Sequence, residues 1–141
     1  MRMRKKKNLE TRLEACSDKL IIIDREERDF NSADEIKEYI DFSKYFPNDN
    51  PIQLEIVCGK GQFICEMAKR NPNINFIAVE KIGNVIVSAA ESAIKQDIKN
   101  VVFVKCAAEY LSSYIKENTV ERLYLNFSCP YPKKAYASHR L

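Results

Sequence analysis

The chain has 141 residues, of which 45% are hydrophobic, 30% charged and 10% aromatic, the make-up of one ordinary globular domain. Three glycines and five prolines exclude collagenous and low-complexity classes, and the longest aliphatic run, Leu20 to Ile23, falls far short of the ~20 apolar residues of a bilayer span. Charge is unevenly placed: residues 1–7 carry five basic side chains and no acid, residues 131–141 carry Lys133, Lys134 and Arg140 and no acid, and the stretch 8–130 holds 15 basic against 20 acidic residues.

Basic ends on an acidic body point to a localised polyanion contact, although solvated tails share that composition. No apolar segment follows the basic start, so the expectation is a cytoplasmic protein without a membrane partner. Residues 1–50 are expected to form a basic arm plus a helix, and 51–141 a core, within one domain overall.

In chain order, the first predicted helix runs from Asn31 to Phe46. Ser32 and Glu35 have capping-box spacing, and Ile36, Tyr39, Ile40 and Phe42 recur at helical intervals. The turn-rich run 46–51 breaks it. Ile52–Val57 reads as a buried strand and Cys58-Gly59-Lys60-Gly61 as a tight turn. Gln62 to Arg70 is a helix stopped by Asn71-Pro72. A second strand covers Ile74–Val79 and closes on Glu80; a helix follows, with Ile82, Val85, Ile86, Ala89, Ala90, Ala93 and Ile94 on one face. Val101–Val104 is the third strand, Ala107–Lys116 the third helix and Val120–Phe127 the fourth strand. Alternating strands and helices predict an α/β protein whose parallel sheet has right-handed crossovers. Its ligand belongs beyond the carboxyl ends of the strands, at the topological switch point.

The chemistry is sought at those ends. Gly59 and Gly61 let backbone approach a ligand, although a merely tight turn needs them equally; the run is neither GxxxxGK[ST] nor GxGxxG. Glu80 ends the second strand where an acid can accept hydrogen bonds from a ribose diol, or cap the following helix. After the fourth strand, Pro130-Tyr131-Pro132 with Lys133, Lys134 and Arg140 offers stacking and phosphate contacts. Five cysteines without a CxxC pair and a lone His139 supply neither a metal site nor a catalytic triad.

LEIVCGKGQF, NPNINFIAVEK, RLYLNFS and PYPKKAYASHRL together resemble the bacterial tRNA (guanine-N7)-methyltransferases, which use S-adenosylmethionine. The resemblance implies a Rossmann-like methyltransferase fold, truncated after the fourth strand and lacking the family's C-terminal third. It also implies methylation of a variable-loop guanosine in tRNA. Position by position it implies cofactor contact through Glu55, Gly59, Gly61, Glu80, Ala107 and position 129, with Lys133 on substrate. RNA contacts are assigned to Lys134, Arg140, Arg2, Arg4 and Lys5. Cys129 stands where the family has its signature aspartate, and that position carries the catalytic assignment. Val57 replaces the first glycine of the turn, Ala107 a polar residue, Tyr131 a tryptophan, and Ala135-Tyr136 an Arg-His pair. A catalytically silent tRNA-binding protein is the alternative reading. A small-molecule methyltransferase is disfavoured by the basic ends. Monomer and homodimer both stay open.

Overall fold

A computed structural model of the chain describes residues 4–23, 37–56 and 58–125. Among them, five strands form one parallel sheet: β1 (Leu20–Ile22), β2 (Ile52–Ile56), β3 (Asn75–Glu80), β4 (Val101–Lys105) and β5 (Arg122–Tyr124), in the order β1-β4-β3-β2-β5. The helices are α1 (Leu9–Ala15), α2 (Gln62–Arg70), α3 (Gly83–Lys95) and the single-turn α4 (Leu111–Tyr114), which follows a 3-10 turn at Ala108–Tyr110.

Side chains alternate across a strand, so the central strands feed two cores. Phe76, Ala78, Val101 and Phe103 face α1, α2 and α3 through Leu13, Ile64, Ala68, Ile86, Ala89 and Ala90. Ile77, Val79, Val102 and Val104 face the other way, onto Phe42, Phe46, Tyr110 and Tyr114. The chain steps outward from β2 to β3 to β4, then returns to place β5 on the opposite side of β2. The strand order therefore reverses at β2, and the switch point lies at the turn after it.

The expected helix over Asn31–Phe46 does not hold where it can be seen. Residues 31–36, including the capping-box pair, lie outside the described residues. Residues 37–41 form no helix: the Glu38 amide donates to Ser113 O and the Ile40 amide to Tyr114 O, both at 2.8 Å. The carbonyls at the end of α4 have no intrahelical donor, and this segment supplies one. Only a 3-10 turn at Phe42–Lys44 follows, held by Asp41 Oδ1 accepting from the Ser43 amide at 3.1 Å, with Phe42 stacked on Phe46 at 6.4 Å. The third helix is likewise shorter than expected, and of the fourth strand three residues are paired, Asn126 and Phe127 lying outside the described residues. Two elements were not anticipated, α1 and β1; β1 extends the sheet beyond β4, pairing Leu20 with Phe103.

Candidate functional site

Three turns meet at the carboxyl ends of β2, β3 and β4, and backbone hydrogen bonds lace them to β3. The Cys58 amide donates to Val79 O at 2.9 Å, and the Cys106 amide to Glu80 O at 3.2 Å. Gly61 N closes the first turn on Cys58 O at 3.0 Å. The chain therefore presents Gly59, Glu80 and Ala107 from one rigid rim.

The two glycines of the first turn have different reasons to be glycine. Both hold positive φ, +58° at Gly59 and +82° at Gly61. A Cβ on Gly61 would sit 2.9 Å from Ala89 Cβ, so its lack of a side chain lets α2 start hard against α3. A Cβ on Gly59 would meet nothing within 4 Å. That open space beside a positive-φ backbone is where a ligand can approach the main chain.

Two carboxylates are buried at this end of the sheet: Glu55 is 0% and Glu80 6% exposed. Glu80 Oε2 accepts the Ile82 amide at 2.9 Å, immediately ahead of α3, which leaves Oε1 outside that contact. The capping and ribose-binding uses of Glu80 are thus compatible in one side chain. Cys58 is fully buried between them, and burial first, then the nearby Glu55 and Glu80 charges, push its thiol far up. It is a packing residue, not a nucleophile.

Ala107 precedes the 3-10 turn and contributes only backbone: its carbonyl accepts the Tyr110 amide at 3.1 Å and lies 3.2 Å from Cys106 Sγ. Glu109, the nearest acid, is exposed. Of the RNA-assigned residues, Arg4 and Lys5 are described and exposed. Arg2, Cys129, Lys133, Lys134 and Arg140 lie outside the described residues, as does Val57.

Two features of this rim escaped the sequence reading. Tyr124 ends β5 in register with Glu55; its ring meets Phe63 of α2 edge-on at 5.2 Å and its hydroxyl donates to Gln53 Oε1 at 2.8 Å, tying β5 to β2. Lys105 ends β4 in register with Glu80, its stem 3.3 Å from where a Gly83 Cβ would stand. Among the described residues no group of three or more His, Cys, Asp or Glu is placed to hold a metal, and no helix is long and apolar enough to cross a membrane.

A family model described as "Putative methyltransferase" matches residues 49–141. The chain belongs to this methyltransferase family. Among the curated relatives of this chain, the tRNA (guanine-N(7)-)-methyltransferase of Geobacillus sp. (strain WCH70) is 45% identical over 100 residues, covering 71% of this chain and 46% of the relative. The tRNA (guanine-N(7)-)-methyltransferase of Bacillus cytotoxicus (strain DSM 22905 / CIP 110041 / 391-98 / NVH 391-98) is 40% identical over 122 residues, covering 78% and 56%. The chain spans about half the length of these relatives. A 30S ribosomal A1408 methyltransferase from an uncultured bacterium (UncKam) shares the fold at a TM-score of 0.50 and 18% identity, over 62% of this chain and 46% of that one. The resemblance and the Rossmann-like methyltransferase fold expected from the sequence are both borne out.

Proposed function

We propose that this chain binds S-adenosylmethionine at the 58–61, 80–82 and 106–107 turns and serves methyl transfer to N7 of a variable-loop guanosine in tRNA. The observation that carries the reading is the pairing of the open, positive-φ Gly59 with the buried Glu80 at the switch point of a parallel sheet. An acid with one free-standing oxygen at this strand end suits a ribose diol, and an unobstructed glycine backbone suits the amino-acid end of the cofactor. Gly61, Glu55 and Ala107 complete the rim.

The cofactor, when bound, supplies the methyl group. Guanine N7 already carries a lone pair, so the protein has no proton to remove and its work is orientation. Cys129 occupies the place of an orienting aspartate, Lys133 contacts substrate, and Lys134, Arg140, Arg2, Arg4 and Lys5 hold phosphates. A cytoplasmic setting follows from a tRNA substrate.

Incubation of the chain with labelled S-adenosylmethionine and unmodified tRNA tests the proposal. Appearance of 7-methylguanosine supports it. Tight tRNA binding without methylation would favour the silent tRNA-binding alternative, and failure to bind S-adenosylhomocysteine would reject the cofactor site.

A further inference from the structure

A polar stripe along α3 takes hold of the N-terminal segment. Asn84, in the first turn of α3 and only 8% exposed, grips the main chain of that segment twice. Its Oδ1 accepts the Lys6 amide at 2.8 Å and its Nδ2 donates to Arg4 O at 2.7 Å. One turn on, Ser88 Oγ meets Lys6 Nζ; two turns on, Glu91 takes Arg12 in a bidentate pair at 2.9 and 2.5 Å. Gly83 lies under α1, where a Cβ would meet Leu9 Cδ2 at 3.5 Å and Leu13 Cδ1 at 3.9 Å, ordinary contact distances. Asn84 also lies two residues beyond Ile82, whose amide is held by Glu80.

We propose that Asn84 is the positioning residue of the basic arm, fixing Arg4–Lys7 on the helix that follows Glu80 so that their charges meet an RNA backbone in register with the cofactor site. This rests on the tRNA reading above. An amide side chain is the one that can satisfy a donor and an acceptor of an extended segment at once, and a buried amide so used is costly to truncate. The clamp reads main chain, so it leaves the exposed side chains of Arg4, Lys5 and Lys7 turned to solvent. Lys5 makes an exposed pair with Glu10 at 3.1 Å, which a phosphate can displace because such a pair is worth little. Tethering the arm removes the ordering entropy that a loose tail would lose on binding.

The experiment compares the whole chain with Asn84→Ala, Lys6→Pro and Lys6→Ala. Lys6→Pro deletes the amide that Asn84 accepts, away from α3; Lys6→Ala removes the same charge and keeps the amide. Tryptic cleavage after Lys7, followed by mass spectrometry, reads the clamp directly. Binding of unmodified tRNA across a salt series reads its consequence. Asn84→Ala and Lys6→Pro should cleave about tenfold faster than the parent chain, as loss of a buried hydrogen-bonded contact implies. Lys6→Pro should bind tRNA about threefold to tenfold more weakly than Lys6→Ala at equal salt slope. Parental cleavage rates in both clamp variants, or equal tRNA affinity of Lys6→Pro and Lys6→Ala, would overturn the proposal. Should Asn84→Ala not fold, the Lys6 pair decides alone. If the parent chain itself ignores tRNA, the tRNA reading fails and the RNA role of the arm falls with it, while cleavage still decides whether Asn84 holds the segment.

Discussion

Gly61 opens α2 directly against Ala89 of α3, with 2.9 Å between Ala89 Cβ and the point a Gly61 Cβ would occupy. The contact joins the two helices that flank the first turn, so the turn's shape depends on helix packing as much as on its own glycines. Gly61→Ala adds the left-handed backbone penalty of ~1–2 kcal/mol to an overpacking cost of ~1–3 kcal/mol. Denaturant unfolding should therefore show a loss of about 2–5 kcal/mol. A loss below about 1 kcal/mol would mean that α2 and α3 can part without strain.

Gly59→Ala isolates the other half of the argument. The position is open, so stability should fall only by the backbone penalty, about 1 kcal/mol. Affinity for S-adenosylhomocysteine should fall much further, about a hundredfold or more, because the new methyl occupies the proposed approach path. Calorimetry showing stability and affinity falling in step would place the ligand elsewhere.

Local rules carried α2 completely, because Gly61, an apolar stripe and Asn71-Pro72 mark both of its ends within twelve residues. The same rules misread 37–46, the described part of the expected first helix. The spacing of Tyr39, Ile40, Phe42 and Phe46 is helical, but the backbone of 37–41 finds better donors' work on the carbonyls of Ser113 and Tyr114, more than seventy residues away in sequence. Nothing local announces such a partner. α1 and β1 are short, and their stability comes from docking on α3 and β4. At the site, Glu80 and the glycines were legible because strand-end acids and turn glycines have fixed offsets in a βαβ unit. Asn84 was not, since its function is a tertiary grip on a segment about eighty residues upstream.

Glu80 has two duties, and two substitutions separate them. Glu80→Gln keeps an oxygen for the Ile82 amide but removes the charge; Glu80→Ala removes both. Glu80→Ala should weaken S-adenosylhomocysteine binding by ~1–3 kcal/mol and also destabilise the chain, whereas Glu80→Gln should lose affinity with little loss of stability. Unchanged affinity in both variants would make Glu80 a turn cap alone.

The Arg12–Glu91 pair makes docking of α1 sensitive to acid. The hydrogen bond from Arg12 holds the Glu91 carboxyl below its ordinary value of 4.5. A carboxylate with a depressed folded value binds fewer protons folded than unfolded, so its contribution is whole above about pH 4.5 and fades as pH falls through the folded value. Glu91→Gln should therefore lower stability at neutral pH by the small worth of a partly exposed pair, ~0.2–1 kcal/mol, and flatten the fall below pH 4.5 by the same amount. Identical acid-unfolding profiles for parent and variant would show that the pair contributes nothing to holding α1 on α3.

Lys133 and Cys129 should fail in different ways. A rim lysine acts on ground-state binding, so Lys133→Ala should weaken tRNA affinity and flatten the slope of log affinity against log salt by one phosphate's share, ~0.7–0.9. A carboxylate at position 129 acts on orientation in the transition state, which appears in rate. Cys129→Asp should therefore leave tRNA affinity nearly unchanged and raise single-turnover methylation, by at most ~10²–10³, the scale of one preorganised polar group. The measurement is a single-turnover assay beside a salt series on the same preparations. Slower methylation by Cys129→Asp together with an untouched slope in Lys133→Ala would remove the 129–133 segment from the site. The RNA contact would then rest on the arm that Asn84 holds.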